Sequence, residues 1–394
     1  MGVRAVLTGR VSQRGEGLAI SIELVDARDN SQIWGQQYNR KLADVFAVQE
    51  EIAKEISERL RLRLTGEQQN RLTKRYTDNG DAWLLYIKGR YFWDKRSAEG
   101  MEKARQFFSQ AIEVDPSYAL AYSGLADTYL FPLGGLPRRE TMPRARAYAK
   151  KALQIDDTLA EPHTSLAFEE MSYDLDWKAA EREFSRAIQL SPNYPVAHQL
   201  YGPCLLFLGR TEEALRESKR ALDLDPLSLA INWHRGLMLY FARRYDDAID
   251  QLRKTIQMAP DYVLAHSTLG WAYLQKGMYT EAVAELERGG GFQGPARGGS
   301  ISRLAFVDVA LGKRAEAEKI LNDLKQMPLD ESRPVQIARV YTALGEKDSA
   351  IRSLERAYLD RAFEIVSIKV DPEFDGLRSD ERFKDLLRRI GLEP

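Results

Sequence analysis

Histidine, cysteine, serine and paired carboxylates are the side chains most able to do chemistry, and this 394-residue chain is sparing with the first two. It has four histidines, His163, His198, His234 and His266, and one cysteine, Cys204. A lone cysteine excludes an internal disulfide framework and any cysteine-based zinc cluster. No histidine partner for its thiolate is evident, and no serine stands in a Gly-x-Ser-x-Gly elbow. The acidic pairs Asp156-Asp157 and Asp246-Asp247 fall at turns or helix starts, where a carboxylate favours the amide dipole. The stretch GGGFQGPARGGS, 289–300, could suggest a phosphate cradle, but it lacks the Gly-Lys-Ser/Thr ending and a preceding strand. A flexible break is expected there. Three of the histidines share one position of a repeating unit. Equivalent positions on successive helical units lie about 10 Å apart, whereas zinc holds its ligands within about 2.1 Å. They cannot share a metal, so a packing role is expected. The chain reads as non-enzymatic, with no catalytic residue, metal site or cofactor.

The elements that would position any site follow from that repeat. Gly202, Gly236 and Gly270 are spaced by 34, as are Ala214, Ala248 and Ala282, and Pro192, Pro226 and Pro260. Small residues at a fixed period let two helices cross closely, and proline ends one helical unit before the next begins. Weaker copies flank these, from Gly89, Phe92, Ala104 and Phe108 upstream to Tyr341, Gly345, Ala350 and Leu354 downstream. The pattern resembles the tetratricopeptide repeat. The fold expected is mainly α, a right-handed solenoid of about eight helix-turn-helix units over 82–357. Residues 358–394 are expected to cap it, with Phe383, Leu386, Leu387 and Ile390 on one helical face. About seven extra residues in FPLGGLPRRETMP should form an exposed loop, and Pro203 should kink its helix.

Residues 1–64 leave the period. VRAVLTGRV, LAISIELVD and SQIWGQQY read as strands, Leu18, Ile20, Ile22 and Leu24 alternating as on a half-buried sheet. A helix capped by Asp44 follows, with Val48, Ile52, Ile56 and Leu60 on one face. The result is a small partial α/β unit with an exposed sheet edge, followed by a linker or connecting helix at 65–81.

Together with YIKGRYFWDKRSAEGMEKARQFFSQAIEVDP and LRSDERFKDLLRRIGL, these segments resemble the carboxy-terminal region of bacterial eukaryotic-like serine/threonine kinases. They are similar also to adenylate cyclases and winged-helix regulators that join a TolB-like domain to tetratricopeptide repeats. The resemblance implies a partial TolB-like domain at 1–64 and, as one reading, a sensory or regulatory fragment whose output domain is missing. Neither a His-Arg-Asp nor an Asp-Phe-Gly kinase loop is present. The family's concave positions hold Phe168, Trp233, Leu237, Tyr240, Trp271, Leu274 and Phe306 here, without the lysines and asparagines of its carboxylate clamps. The other reading is therefore a scaffold whose groove takes an apolar or aromatic-bearing peptide or protein segment. The 57 basic and 58 acidic side chains nearly cancel, which argues against a nucleic-acid partner. No run of about eighteen apolar residues exists to enter a membrane. Self-association through the sheet edge or a solenoid end is a third expectation. The expected location is cytoplasmic, or extracytoplasmic if the parent protein is membrane-anchored.

Overall fold

The computed structural model describes residues 5–14, 17–26, 28–29, 31–41, 47–48, 51–52, 55–56, 74–131, 136–290, 295–327 and 331–393. Contacts divide the chain into two compact bodies. One comprises Met1–Thr128 with Lys151–Asp157, the other Tyr129–Lys150 with Thr158–Pro394.

In the first body, β1 (Ala5–Arg14), β2 (Gly17–Asp26) and β3 (Gln32–Lys41) form an antiparallel sheet in the order β1-β2-β3. The period of two sends Ile20, Ile22 and Leu24 to the face that also buries Trp34 and Tyr38. Helical residues Val48, Ile52 and Ile56 cover that face. The expected cap Asp44, Leu60 and the side chain of Leu18 lie outside the described residues. Helix α1 (Gly80–Asp94) is capped by Asn79, whose side chain accepts from the amides of Asp81 and Ala82. Ser97 caps α2 (Ala98–Val114) in the same way. Phe108 of α2 is fully buried, and its ring fills the space left by two glycines. A Cβ on Gly89 or Gly124 would come within 2.5 or 2.6 Å of it. Helices α3 (Ala119–Leu130) and α4 (Arg138–Ile155) contribute residues to both bodies.

The second body continues in pairs: α5 (Ala160–Glu169) and α6 (Trp177–Leu190), α7 (Pro195–Phe207) and α8 (Thr211–Leu224), α9 (Leu229–Phe241) and α10 (Tyr245–Met258). Three more pairs follow: α11 (Val263–Gln275) and α12 (Tyr279–Gly290), α13 (Pro295–Ala310) and α14 (Arg314–Gln326), α15 (Arg333–Ala343) and α16 (Lys347–Leu359). With α1–α4 this makes eight helix pairs among the described residues, the number the period implies. Each first helix from α5 onward also packs on the first helix of the next pair, so these helices form one layer. Ala214, Ala248 and Ala282 are completely buried where paired helices cross. Pro203 lies inside α7, which continues beyond it to Phe207. A correction falls at 289–300. Residues 291–294 lie outside the described ones, but Pro295 starts α13, so the second half of the glycine-rich stretch is helical. Proline at a first helical position loses no hydrogen bond and arrives with its φ already set.

After α16 the chain does not simply stop. Two 3-10 turns, Phe363–Ser367 and Pro372–Leu377, lead to α17 (Glu381–Arg389). The first turn packs against a π-helical turn at Glu170–Asp174, and the second against α15. Phe374, Leu377, Phe383, Leu386 and Ile390 are completely buried. No described helix is long and apolar enough to cross a membrane.

Candidate functional site

The histidines that might have done chemistry are clips within helix pairs. Nδ1 of His198 lies 2.5 Å from Oε2 of Glu217, and Nε2 lies 3.0 Å from the carbonyl oxygen of Pro192. His266 repeats this with Glu285 at 2.5 Å and Pro260 at 2.7 Å, and His163 meets Glu183 at 2.5 Å. The intervening unit has Asn232 in place of the histidine. Its amide donates to the Pro226 carbonyl at 2.8 Å, and Gln251 donates to its oxygen at 3.0 Å. A neutral amide pair thus substitutes for imidazole and carboxylate at the same two points, so the position is one of packing and polar satisfaction. Cys204 is completely buried, and burial pushes its thiol up to about 12, far from a reactive thiolate. Among the described residues, no three histidine, cysteine or carboxylate side chains come together to hold a metal.

The face made by the first helices is where a groove was expected, and its centre is occupied by the chain's own tail. Nε of Arg303 on α13 lies 2.6 Å from Oε1 of Glu373, and Nε of Arg339 on α15 lies 2.8 Å from Oε2 of the same carboxylate. Both contacts miss the N–H direction, so they act as ion pairs more than as directed hydrogen bonds. Arg339 also donates from Nη2 to Asp371 at 3.2 Å. All four side chains are essentially excluded from solvent. Burial pushes the Glu373 carboxyl up, with Arg303 pulling it back. The Arg303 guanidinium stacks 3.6 Å from the centroid of Trp271, and the Arg339 guanidinium lies 5.8 Å from that of Phe374.

Other contacts extend this attachment across the second body. Trp177 donates from Nε1 to the Ile390 carbonyl at 2.7 Å, and Arg361 donates to the Tyr173 carbonyl at 3.0 Å. Arg243 donates to both oxygens of Asp375 at 2.6 and 2.7 Å. Arg243 has φ +60°, the left-handed conformation that Gly209 and Gly277 adopt at the matching turns 34 residues either side. A side chain there costs about 1 kcal/mol that glycine avoids. The guanidinium's bidentate hold on the tail is the compensation.

The seven candidate contact residues fall into two groups. Tyr240 is completely buried, its ring 5.7 Å from that of Trp271, and burial together with Glu373 and Asp371 raises its hydroxyl well above the usual range. Trp233 is half-buried and donates to Thr268 at 2.9 Å. Leu274 is buried, while Leu237 and Phe306 are half-buried. Phe168, also buried, packs 5.7 Å from Phe363 of the tail and lines an open cleft.

That cleft, within the second body, has a volume of about 1220 Å³ between α3, α4 and α5 on one side and α15, α16 and the first 3-10 turn on the other. Its rim carries the exposed apolar side chains Leu136, Leu359 and Phe363. Six arginines line it against three carboxylates, Glu331, Asp360 and Glu364. Leu136 to Arg139, part of the insertion expected to be a loop, form one wall, with Arg138 already in α4; 132–135 lie outside the described residues. The tail acids and the arginines of the cleft were missed by pattern reading.

Family models agree with this architecture. Those of the tetratricopeptide repeat match residues 202–262 and 242–295. Over residues 202–295 the chain carries tetratricopeptide repeats. A Rhizobium meliloti (strain 1021) protein provisionally named adenylate cyclase 3 is 29% identical over 172 residues, covering 42% of this chain and 29% of the relative. The transcriptional regulator HilA of Salmonella typhimurium is 25% identical over 138 residues, 34% of this chain and 25% of the relative. The chain therefore spans less than a third of the length of these relatives. Among solved structures, Pseudomonas aeruginosa pilF aligns with a TM-score of 0.37 at 16% identity, over 61% of this chain and 90% of that one. A thermophilic tetratricopeptide protein of Thermus thermophilus aligns with a TM-score of 0.41 at 18% identity, over 49% and 99%.

Proposed function

We propose that the protein is a non-catalytic interaction scaffold that takes an apolar or aromatic-bearing segment of a partner on its first-helix face. The observation that carries this reading is internal. The same face holds the segment Asp371-Pro372-Glu373-Phe374 with its ring completely buried, and beside it the cleft walled by Phe168 stays open. Phe168 is assigned to the partner directly; Trp271, stacked on Arg303, and Tyr240 against it back the arginine that holds the tail, and Trp233, Leu237, Leu274 and Phe306 are further first-helix residues. The test is to identify a partner by affinity capture, then titrate it against the Phe168→Ala, Trp233→Ala and Trp271→Ala proteins. Undiminished affinity in all three, with cooperative unfolding retained, sinks the proposal.

A second reading, that the chain is the regulatory part of a signalling protein, is favoured by the cyclase and regulator names of its relatives. An in-frame cyclase, kinase or winged-helix domain encoded immediately upstream supports it, and a stop codon there argues against it. Self-association rests on β1, whose Leu7 and Val11 are exposed on an edge strand. It predicts a mass that rises with concentration in light scattering.

A further inference from the structure

The cleft holds six arginines against three carboxylates, an excess of positive charge. Arg138 is 4% exposed, and its guanidinium donates from Nη2 to the carbonyl and hydroxyl of Ser172 at 2.8 and 3.0 Å. Its Nε has no hydrogen-bond partner. Among the described residues it makes no ion pair, although a buried charge is ordinarily matched by an opposite one. Burial accordingly pulls the guanidinium down to about 10. Arg139 and Arg352, both exposed on the walls, make no ion pair among the described residues either. Glu331 and Glu364 attract the Arg138 guanidinium without forming an ion pair with it. Asp360 pairs with Arg356 at 2.7 Å, and Glu331 accepts from the Arg138 backbone amide at 2.7 Å.

The adjoining part of the face shows what such arginines hold. Arg303 and Arg339, on neighbouring first helices, enclose two carboxylates and a phenylalanine spaced as Asp-x-Glu-Phe. The cleft repeats those elements with its arginines in excess of its acids: six arginines against three carboxylates, the rings of Phe168 and Phe363, and an apolar rim. Resting on the scaffold reading above, we propose that the cleft binds an acidic peptide segment carrying an aromatic side chain. Arg138, Arg139 and Arg352 meet its carboxylates, and the aromatic walls meet its ring.

The experiment uses the full chain and three fluorescein-labelled octapeptides read by anisotropy. These are VDPEFDGL, copying residues 370–377, its neutral counterpart VNPQFNGL, and VDPEADGL. The acidic aromatic peptide should bind in the micromolar range and weaken as salt rises. It should lose about tenfold in affinity with Arg139→Gln or Arg352→Gln, as with either altered peptide. Arg138→Met, checked by its melting transition, should lose binding further; if it does not fold, the two exposed variants decide. Equal binding of the neutral aromatic peptide refutes the acidic assignment while leaving the scaffold reading standing. Absence of binding by all three at about 1 mM removes both. Binding indifferent to Arg139 and Arg352, or inorganic phosphate binding as tightly as the peptide in calorimetry, overturns the proposal.

Discussion

Arg339→Met should cost this protein about 3 kcal/mol at neutral pH, and the cost should depend on pH. The wild-type cluster is balanced, two guanidiniums facing Asp371 and Glu373, all out of contact with water. Methionine keeps much of the arginine's volume but leaves two buried carboxylates with one cation. Breaking a buried ion pair by removing one partner typically costs about 3–5 kcal/mol. The lower end applies because Glu373 can escape by protonation. Burial has already pushed its carboxyl up, and removing Arg339 pushes it further.

The sign follows from linkage. An acid whose folded carboxyl lies above its unfolded one binds more protons in the folded state between the two values. Stability contributed by the group is therefore greatest below the unfolded value and falls as pH rises through that window. A larger upward shift widens the window, so the deficit of the variant should be larger at pH 8 than at pH 5.5. Urea unfolding followed by far-ultraviolet circular dichroism measures both, and trypsin cleavage after Lys369 should accelerate if the tail loosens. Adding Glu373→Met should recover part of the loss, a coupling that a double-mutant cycle isolates. A deficit below about 1 kcal/mol, or one equal at the two pH values, would refute the idea that this cluster fastens the tail.

Three further perturbations separate local causes. Gly202 and Gly236 share a repeat position but not a fate. A Cβ on Gly236 would meet the buried Leu252 at 2.6 Å, whereas on Gly202 its nearest neighbour is 3.5 Å away. Gly236→Ala should destabilise by about 1–2 kcal/mol and Gly202→Ala should be neutral or stabilising by up to about 1 kcal/mol, both read in thermal melts. Glu170, in the π-helical turn, is pushed up to about 7 by burial and by Glu183 and Glu169. It therefore favours the fold at low pH and opposes it as pH rises from the ordinary glutamate range through about 7. Glu170→Gln should gain about 1 kcal/mol at pH 8, discounted for its partial exposure, and nothing at pH 4.5. At the left-handed position 243, Arg243→Gly should be more stable than Arg243→Ala by about 1 kcal/mol, since both lose the tail contact and only glycine relieves the backbone.

How much of this was legible in the chain depends on the distance over which each contact acts. The repeats were legible because their cause is local and recurrent: a buried alanine every 34 residues and glycine where helices cross. The sheet was legible from Ile20, Ile22 and Leu24 for the same reason. His198 and His266 could be placed as packing residues. Their partners Glu217 and Glu285, 19 residues on in a second helix, became visible only once the helices were paired. The tail contacts join residues 32 to 213 positions apart, and no period announces them. Tyr240 and Trp271 were read as groove lining, but a row of side chains does not say whether its own chain will cover it. Likewise Pro295 was read with the glycines around it, although proline opens a helix as readily as it breaks one.

The arginines offer a sharper guide than the aromatics. On a face built to be apolar, each buried guanidinium demands an anion, since it cannot lose its proton. At Arg303 and Arg339 the demand is met in cis, by two carboxylates that arrive with Phe374, and that part of the face is sealed. At Arg138 the attraction of Glu331 and Glu364 stops short of an ion pair, and Glu331 is held by the Arg138 backbone amide. That part stays open. Two stretches of one surface thus differ in whether the chain's own acids pair with the buried arginines. An acid brought by another protein would complete the second as Asp371 and Glu373 complete the first.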